Sequence, residues 1–383
     1  MLARLLQDWD PASVCLLQSQ PDGHGFRARS LPLPLPVPSD ATPADGSDPG
    51  LQPPFLARLA RALIRRTLFA VPATWWRARK LADYLRVTGC TSLLVCTGGF
   101  EDIPEGFLAG HWARVRVVAY YFDWYGMQWP TRLRRMVALW IESRIIRKFG
   151  AVIVPNEALR DALVERYGVQ PIVIHNPCHE HPLSRRPLSK WPTDDGEITV
   201  VYTGAVYHAH FDAFRNLVLA LAGSAPASMR LHVYTWQPPW VLRDHGIEAG
   251  FVFHGHLPPE SIAEVQRRAD VLFLPLAFES PIDEVLRTSA PGKMGEYLAT
   301  GRPILVHAPP DSFLSRYFRE HRCGVVVDDN SPIAVAGALE RIAEDASLRQ
   351  AVGEKARERA RIDFDPALAR ATFRHVVDRR EAP

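Results

Sequence analysis

Lys293 and Glu296 stand three residues apart in "SAPGKMGEYLATGRPIL" (289–305), a stretch otherwise made largely of small and apolar residues. A helix beginning after Pro291 and Gly292 has unpaired N–H groups and a partial positive charge at its start, and Lys293 adds a full cation there. That combination suits a diphosphate. Glu296 falls on the same helix face, where a carboxylate accepts well from the paired hydroxyls of a ribose. The same spacing also fits an ordinary i, i+3 surface ion pair, and spacing does not choose between the two.

The elements that must position these groups alternate. From Glu197 the pattern predicts the strand "EITVVYTG", a helix over about 212–222, and the strands "RLHVYTW" and "FVFHGH". The helix "PESIAEVQRRA", the strand "DVLFLPL", the Lys293 helix, the strand "RPILVHA", a further helix, the strand "CGVVVDD" and two closing helices complete a doubly wound Rossmann-like unit. Gly204, in the loop "TGAVYHAH" after its first strand, lets backbone approach a phosphate.

The first half predicts helix from Pro54 to Val87, strands at 92–99, 114–122 and 151–155, and a long helix over 131–149. This is again the parallel βαβ pattern of an α/β domain. Ligands gather beyond the carboxyl ends of such strands, which singles out Thr97, Gly98, Gly99, Asp123 and Trp124. Asp123 could orient an acceptor or assist its deprotonation, or simply cap a loop. The Pro-rich stretch 32–54 reads as a mobile surface loop. The domains expected are 1–180 and 181–365, followed by a last helix in 366–383.

Composition narrows the class. A length of 383 residues, 47% of them hydrophobic, supports two buried cores, and a net charge of +3 gives no case for nucleic acid as a partner. Five scattered cysteines without a CxxC pair fit a reducing cytoplasm. No apolar run reaches the roughly 18 residues a spanning helix needs. "HNPCHEHP" (175–182) matches no common zinc spacing and reads as a loop, and "DWD" (8–10) does not follow a buried strand, so no metal is expected. A basic, aromatic-interleaved face from Leu51 to Ala82, extended by Arg132, Arg134, Arg135, Arg144, Arg147 and Lys148, could lie on an anionic membrane or be a solvated helix face.

"PGKMGEYLATGRPIL" resembles the P-x-K-x-x-E-Y-x-A-x-G-x-P-x-L signature of family 4 glycosyltransferases with the GT-B fold. "VVYTGAVYHAHFDAF", "VFHGHLPPESIAEVQRRADVLFLPL" and "AVIVPNEALRDALVERYGVQPIVIHNP" resemble further segments of that family. The resemblance implies two Rossmann-like domains facing a cleft and transfer of a sugar from a nucleotide diphosphate sugar to an acceptor hydroxyl. It further implies retention of anomeric configuration, no required cofactor, and a glycan or lipid-linked acceptor in polysaccharide or glycolipid assembly. Catalytic roles are implied for Lys293, Asp123 and Glu279, and donor contacts for Gly204, Tyr207, Gly255, His256, Thr288, Ser289 and Glu296. Gly98, Gly99 and Trp124 fall on the acceptor side, and the resemblance implies that the helix in 366–383 crosses back to the first domain.

Three departures accompany it. Thr288 occupies the place of a second glutamate eight positions before Glu296, and Ala205, Tyr207, His208 and His210 replace the usual Arg and Lys of the phosphate loop. The chain also opens at what reads as the helix after the usual first strand, so either the start is incomplete or the first domain lacks that strand. A noncatalytic nucleotide-sugar-binding protein and a nucleotide-sugar epimerase are the competing functions.

Overall fold

A computed structural model describes residues 2–10, 13–18, 29–32, 55–178, 191, 196–223, 225–226, 228–247, 250–280 and 282–378. Most of the Pro-rich stretch 32–54, the second half of "HNPCHEHP" and nearly all of the segment joining the two halves lie outside these residues, as do the side chains of 55–71.

Short apolar runs become strands because a parallel sheet covered on both faces can bury every side chain. In the first half, α1 (Leu2–Leu5), β1 (Cys15–Gln18) and β2 (Arg29–Pro32) precede the long α2 (Phe55–Thr88). There follow β3 (Ser92–Cys96), α3 (Asp102–Ala113), β4 (Arg116–Tyr120), α4 (Arg132–Ile145), β5 (Ala151–Val154), α5 (Glu157–Tyr167) and β6 (Ile172–Val173). β3 to β6 pair in sequence order as a four-stranded parallel sheet, and β1 and β2 form a separate parallel pair.

Several elements end earlier than the apolar pattern predicts. The strand expected over 92–99 stops at Cys96: the Thr97 hydroxyl accepts from Phe122 N at 2.8 Å, and Gly99 N turns to the Asp102 carboxylate. The helix expected over 131–149 gives way at Ile145 to a 3₁₀ turn over 146–148.

The second half runs β7 (Ile198–Thr203), α6 (Phe211–Gly223), β8 (Met229–Tyr234), α7 (Pro239–Arg243), β9 (Phe251–His254), α8 (Pro259–Arg268) and β10 (Val271–Pro275). It continues through α9 (Asp283–Thr288), α10 (Met294–Thr300), β11 (Ile304–His307), α11 (Phe313–His321), β12 (Val325–Val327), α12 (Pro332–Glu344) and α13 (Ala346–Asp363). Its six parallel strands lie in the order β12-β11-β10-β7-β8-β9. This is the doubly wound order 3-2-1-4-5-6, whose direction reverses between β7 and β10, the crevice where such sheets take ligands.

The last helix, α14 (Pro366–Asp378), packs on the first sheet. Phe373, Val376 and Val377 share a buried cluster with Leu5, Leu6, Val118, Tyr120 and Ile153. Where the halves meet, Cys178 N donates to Phe364 O at 3.1 Å and Asn156 Nδ2 to Thr288 O at 2.8 Å. Gly295 lies in this junction, and a Cβ there would stand 2.7 Å from the Phe364 ring and 2.9 Å from the Asn176 carbonyl. Only glycine allows so close an approach. Among the described residues, no helix is long and apolar enough to cross a membrane.

Candidate functional site

The carboxyl ends of β7, β8, β9 and β10 present four loops side by side. Gly204, immediately after β7, has φ +118°, and a Cβ on it would come within 3.2 Å of Lys293 Nζ. Backbone conformation and the closeness of the ammonium both call for glycine. Lys293 caps the N-terminus of the seven-residue α10 rather than lying in its first turn, and Nζ stands 3.6 Å from the centre of the Tyr202 ring. Burial lowers its ammonium pKa to about 7, against a smaller opposing effect of Glu296.

Side chains behind the loop fix its shape. Tyr202 Oη donates to Ala205 O at 2.6 Å, while Gln237 accepts from Val206 N at 2.6 Å and donates to Val206 O at 3.0 Å. Tyr297, the residue after Glu296, accepts from Thr203 N at 3.0 Å. The buried Gln266 donates to Thr203 Oγ1 at 3.0 Å and to Glu296 Oε2 at 3.3 Å. His210 is buried, its ring 4.3 Å from that of Tyr207, and burial followed by the Lys293 charge holds its pKa well below the usual range. The histidine is therefore neutral, and Lys293 is the cation of this loop.

Asp123, on the loop after β4, faces the same cleft from the first domain. Burial raises its pKa, and its charge, after burial, adds to the raised pKa of Tyr207. Glu279 has an exposed side chain, and its loop after β10 is tied to the β7 loop. Asp212 Oδ2 accepts from Phe278 N and Glu279 N at 2.8 and 2.9 Å, and Ala277 N donates to Ala209 O at 2.7 Å. Gly255 and His256 are exposed just past β9.

Other residues singled out by sequence are committed elsewhere. The Thr288 hydroxyl donates to Glu284 O at 2.9 Å within α9, and its carbonyl takes the bond from Asn156; Ser289 follows as the extended C-cap of that helix. Trp124 is buried, and its Nε1 donates to Glu142 Oε2 at 3.1 Å. Gly98 and Gly99 are exposed, above the Asp102 carboxylate. His175, in the loop first weighed for metal, lies 3.1 Å from Glu157. A cavity of about 930 Å³ is lined by Trp124, Glu157, Arg166, Thr288, Tyr317 and Asp363, and Lys293 is not part of it.

Gln266, Gln237 and Arg4 were not legible as site residues. Gln266 offers one retrospective signal: it is a polar residue on the side of α8 that packs inward, where an apolar residue would be the default. Arg4 Nη2 donates to Glu296 Oε1 across the junction of the halves, and nothing near it in sequence announces that partner.

Two facing α/β domains, with a cation and a positive-φ glycine at the switch point of the second, define a GT-B architecture. Residues 197–345 match the model for "Glycosyl transferases group 1" and residues 37–180 that for "Glycosyltransferase Family 4", together about three quarters of the chain. The chain belongs to the group 1, family 4 glycosyltransferases of the GT-B fold. It is thus a sugar transferase by class.

Among solved structures it is similar to a glycosyltransferase from Rickettsia africae ESF-5, at 12% identity and a TM-score of 0.58 over 80% of this chain and 82% of that one. It is also similar to HepE of Anabaena in complex with UDP and glucose, at 14% identity and a TM-score of 0.59 over 80% and 81%. Sucrose-phosphate synthase from Thermosynechococcus elongatus aligns at 16% identity and a TM-score of 0.56 over 79% and 76%. These identities speak for the fold alone. No match was found among curated proteins.

Proposed function

We propose that the chain transfers a hexosyl group from a nucleotide diphosphate sugar to an acceptor hydroxyl with retained configuration, in the assembly of a polysaccharide or glycolipid. The observation that carries this reading is the closeness of Lys293 Nζ to Gly204, because it joins a cation and an open backbone turn where a diphosphate can reach both. Glu296 takes the ribose, the backbone near Gly255 and His256 lies by the base, and Glu279 is near the sugar. Asp123 orients the acceptor hydroxyl or assists its deprotonation from the opposite wall. Its raised pKa makes it a stronger base than an ordinary aspartate once ionised.

UDP is the first donor base to test, since HepE complexes hold UDP and UDP-glucose. Calorimetry with UDP, GDP, ADP and CDP should find one selective ligand for the wild type, with affinity reduced about tenfold or more in Glu296→Gln. Binding of none of the four by a folded chain sinks the donor-site reading. Selective binding without transfer from the matching sugar nucleotide to any acceptor favours a noncatalytic binding protein, a reading to which the committed Thr288 lends weight.

A peripheral membrane location is supported by α4. Leu133, Met136, Val137 and Trp140 recur at helical spacing and are 40–61% exposed, while Arg144 stacks over Trp140 at 5.2 Å. The one acid of α4, Glu142, is fully buried, so Arg132, Arg134 and Arg144 meet the solvent without a competing carboxylate on that helix. An apolar strip with a cationic rim suits an anionic bilayer surface. Sedimentation with phosphatidylglycerol vesicles should capture the wild type and release Trp140→Glu; equal sedimentation of the two would remove α4 from any membrane contact.

A further inference from the structure

Arg4 belongs to the first domain but works on the second. Its Nη1 donates to Pro177 O at 2.6 Å while Nη2 bonds to Glu296 Oε1, so the two nitrogens of one planar group span the junction of the halves. Both partners are largely shielded, with side chains 24% and 15% exposed. Though α1 is short, it is anchored. Leu5 and Leu6 are buried against Val118, Ile153 and Phe373, and the following turn is held by Arg370 on Asp8 at 2.6 Å and by Arg374 on Asp8 O at 2.7 Å.

Glu296 therefore meets Arg4 at one oxygen and Gln266 at the other. Donors on both oxygens fix the plane of a carboxylate. A vicinal diol needs a carboxylate in a set orientation, because its two hydroxyls must meet the two oxygens together.

We propose that Arg4 is a positioning residue of the donor site, which orients the Glu296 carboxylate for the ribose hydroxyls and makes ribose recognition depend on α1 being docked across the domain junction. The inference rests on the reading of Glu296 as the ribose ligand. Lysine cannot replace it fully, since a single ammonium lacks the fork that reaches Pro177 O and Glu296 at once.

The test compares UDP with 2′,3′-dideoxy-UDP by calorimetry on the full-length wild type, Arg4→Gln, Arg4→Lys and Glu296→Gln, with melting curves to verify folding. Wild type should prefer UDP roughly tenfold or more, as expected for hydrogen bonds to a charged group. In Arg4→Gln that preference should fall to about twofold while the dideoxy analogue binds as before, a non-additivity that marks coupling through Glu296. Arg4→Lys should fall between, and carries the test if Arg4→Gln does not fold.

If Arg4→Gln weakens both ligands equally, Arg4 is only a brace between domains and the proposal fails. If it tightens UDP, Arg4 competes with the ribose, and the proposal fails in the opposite sense. A wild type that binds UDP but does not distinguish the two ligands overturns the premise on Glu296. A wild type that binds UDP, GDP, ADP and CDP no better than one another or not at all overturns the donor-site reading itself, which is a separable result.

Discussion

Lys293→Ala is expected to lower turnover by roughly 10² to 10³, the effect of removing one preorganised group aimed at developing charge. In the transfer proposed above, negative charge grows on the departing diphosphate. Lys293 places a side-chain cation beside Gly204, while Ala205 and Tyr207 carry no charge and burial keeps His210 neutral. With its pKa near 7, the unliganded ammonium is about half protonated at neutral pH. A diphosphate raises that pKa again and so takes up a proton when it binds above pH 7.

The wild-type Kd for UDP should accordingly rise with pH above about 7, by up to roughly tenfold per unit, and Lys293→Ala should lose this slope. Titration in two buffers of different ionisation heat reads the proton directly. The same shift has a stability counterpart. The unfolded chain holds a proton on Lys293 that the folded chain has released between about 7 and the ordinary lysine value of 10.5, so stability gains from this group as pH climbs through that window. Wild-type turnover in Lys293→Ala, or an unchanged pH slope, would place the diphosphate elsewhere.

What could be read before the fold was known was what is local. Lys293, Glu296 and Gly204 sit in stretches where small residues, a turn and an apolar strand follow one another within one βα unit, so periodicity and residue type were enough to bring them to strand ends. Distant pairings left no such trace. Arg4 is the one basic residue of a leucine-rich start that would suit any surface helix, and its partner stands 292 positions away. Trp124 was placed after β4 by pattern, yet its indole is tied to Glu142, one acid within a helix whose arginines suggest a membrane-facing or solvated basic face. A helix pattern reports which face is apolar. It does not report which charged residue the core will take in.

Glu142→Leu is expected to cost the first domain about 3 kcal/mol or more, and the reason lies in what the carboxylate holds. It is fully buried, and Oε2 accepts from Trp124 Nε1 at 3.1 Å and Tyr167 Oη at 2.6 Å. Leucine would fill much of the volume but leave an indole N–H and a phenol O–H unpaired in a dry core, at about 1–3 kcal/mol each. The transition of the first domain should fall by roughly 6–12 °C. Glu142→Gln keeps an acceptor oxygen and should fall less.

Burial raises the Glu142 pKa, and the bonds from Tyr167 and Trp124 oppose that rise. A carboxyl raised on folding favours the folded state at low pH and loses that contribution as pH rises through its folded pKa, so the glutamine variant should lose more stability than the wild type on acidification. The link to function is the loop 121–126, which joins Asp123 to the anchored Trp124. Freed from Glu142, that loop should cost turnover while UDP binding, made from the second domain, is retained. A leucine variant that melts with the wild type would show that the network is dispensable, and one that loses UDP binding in equal measure would show that the two walls of the cleft are not separable.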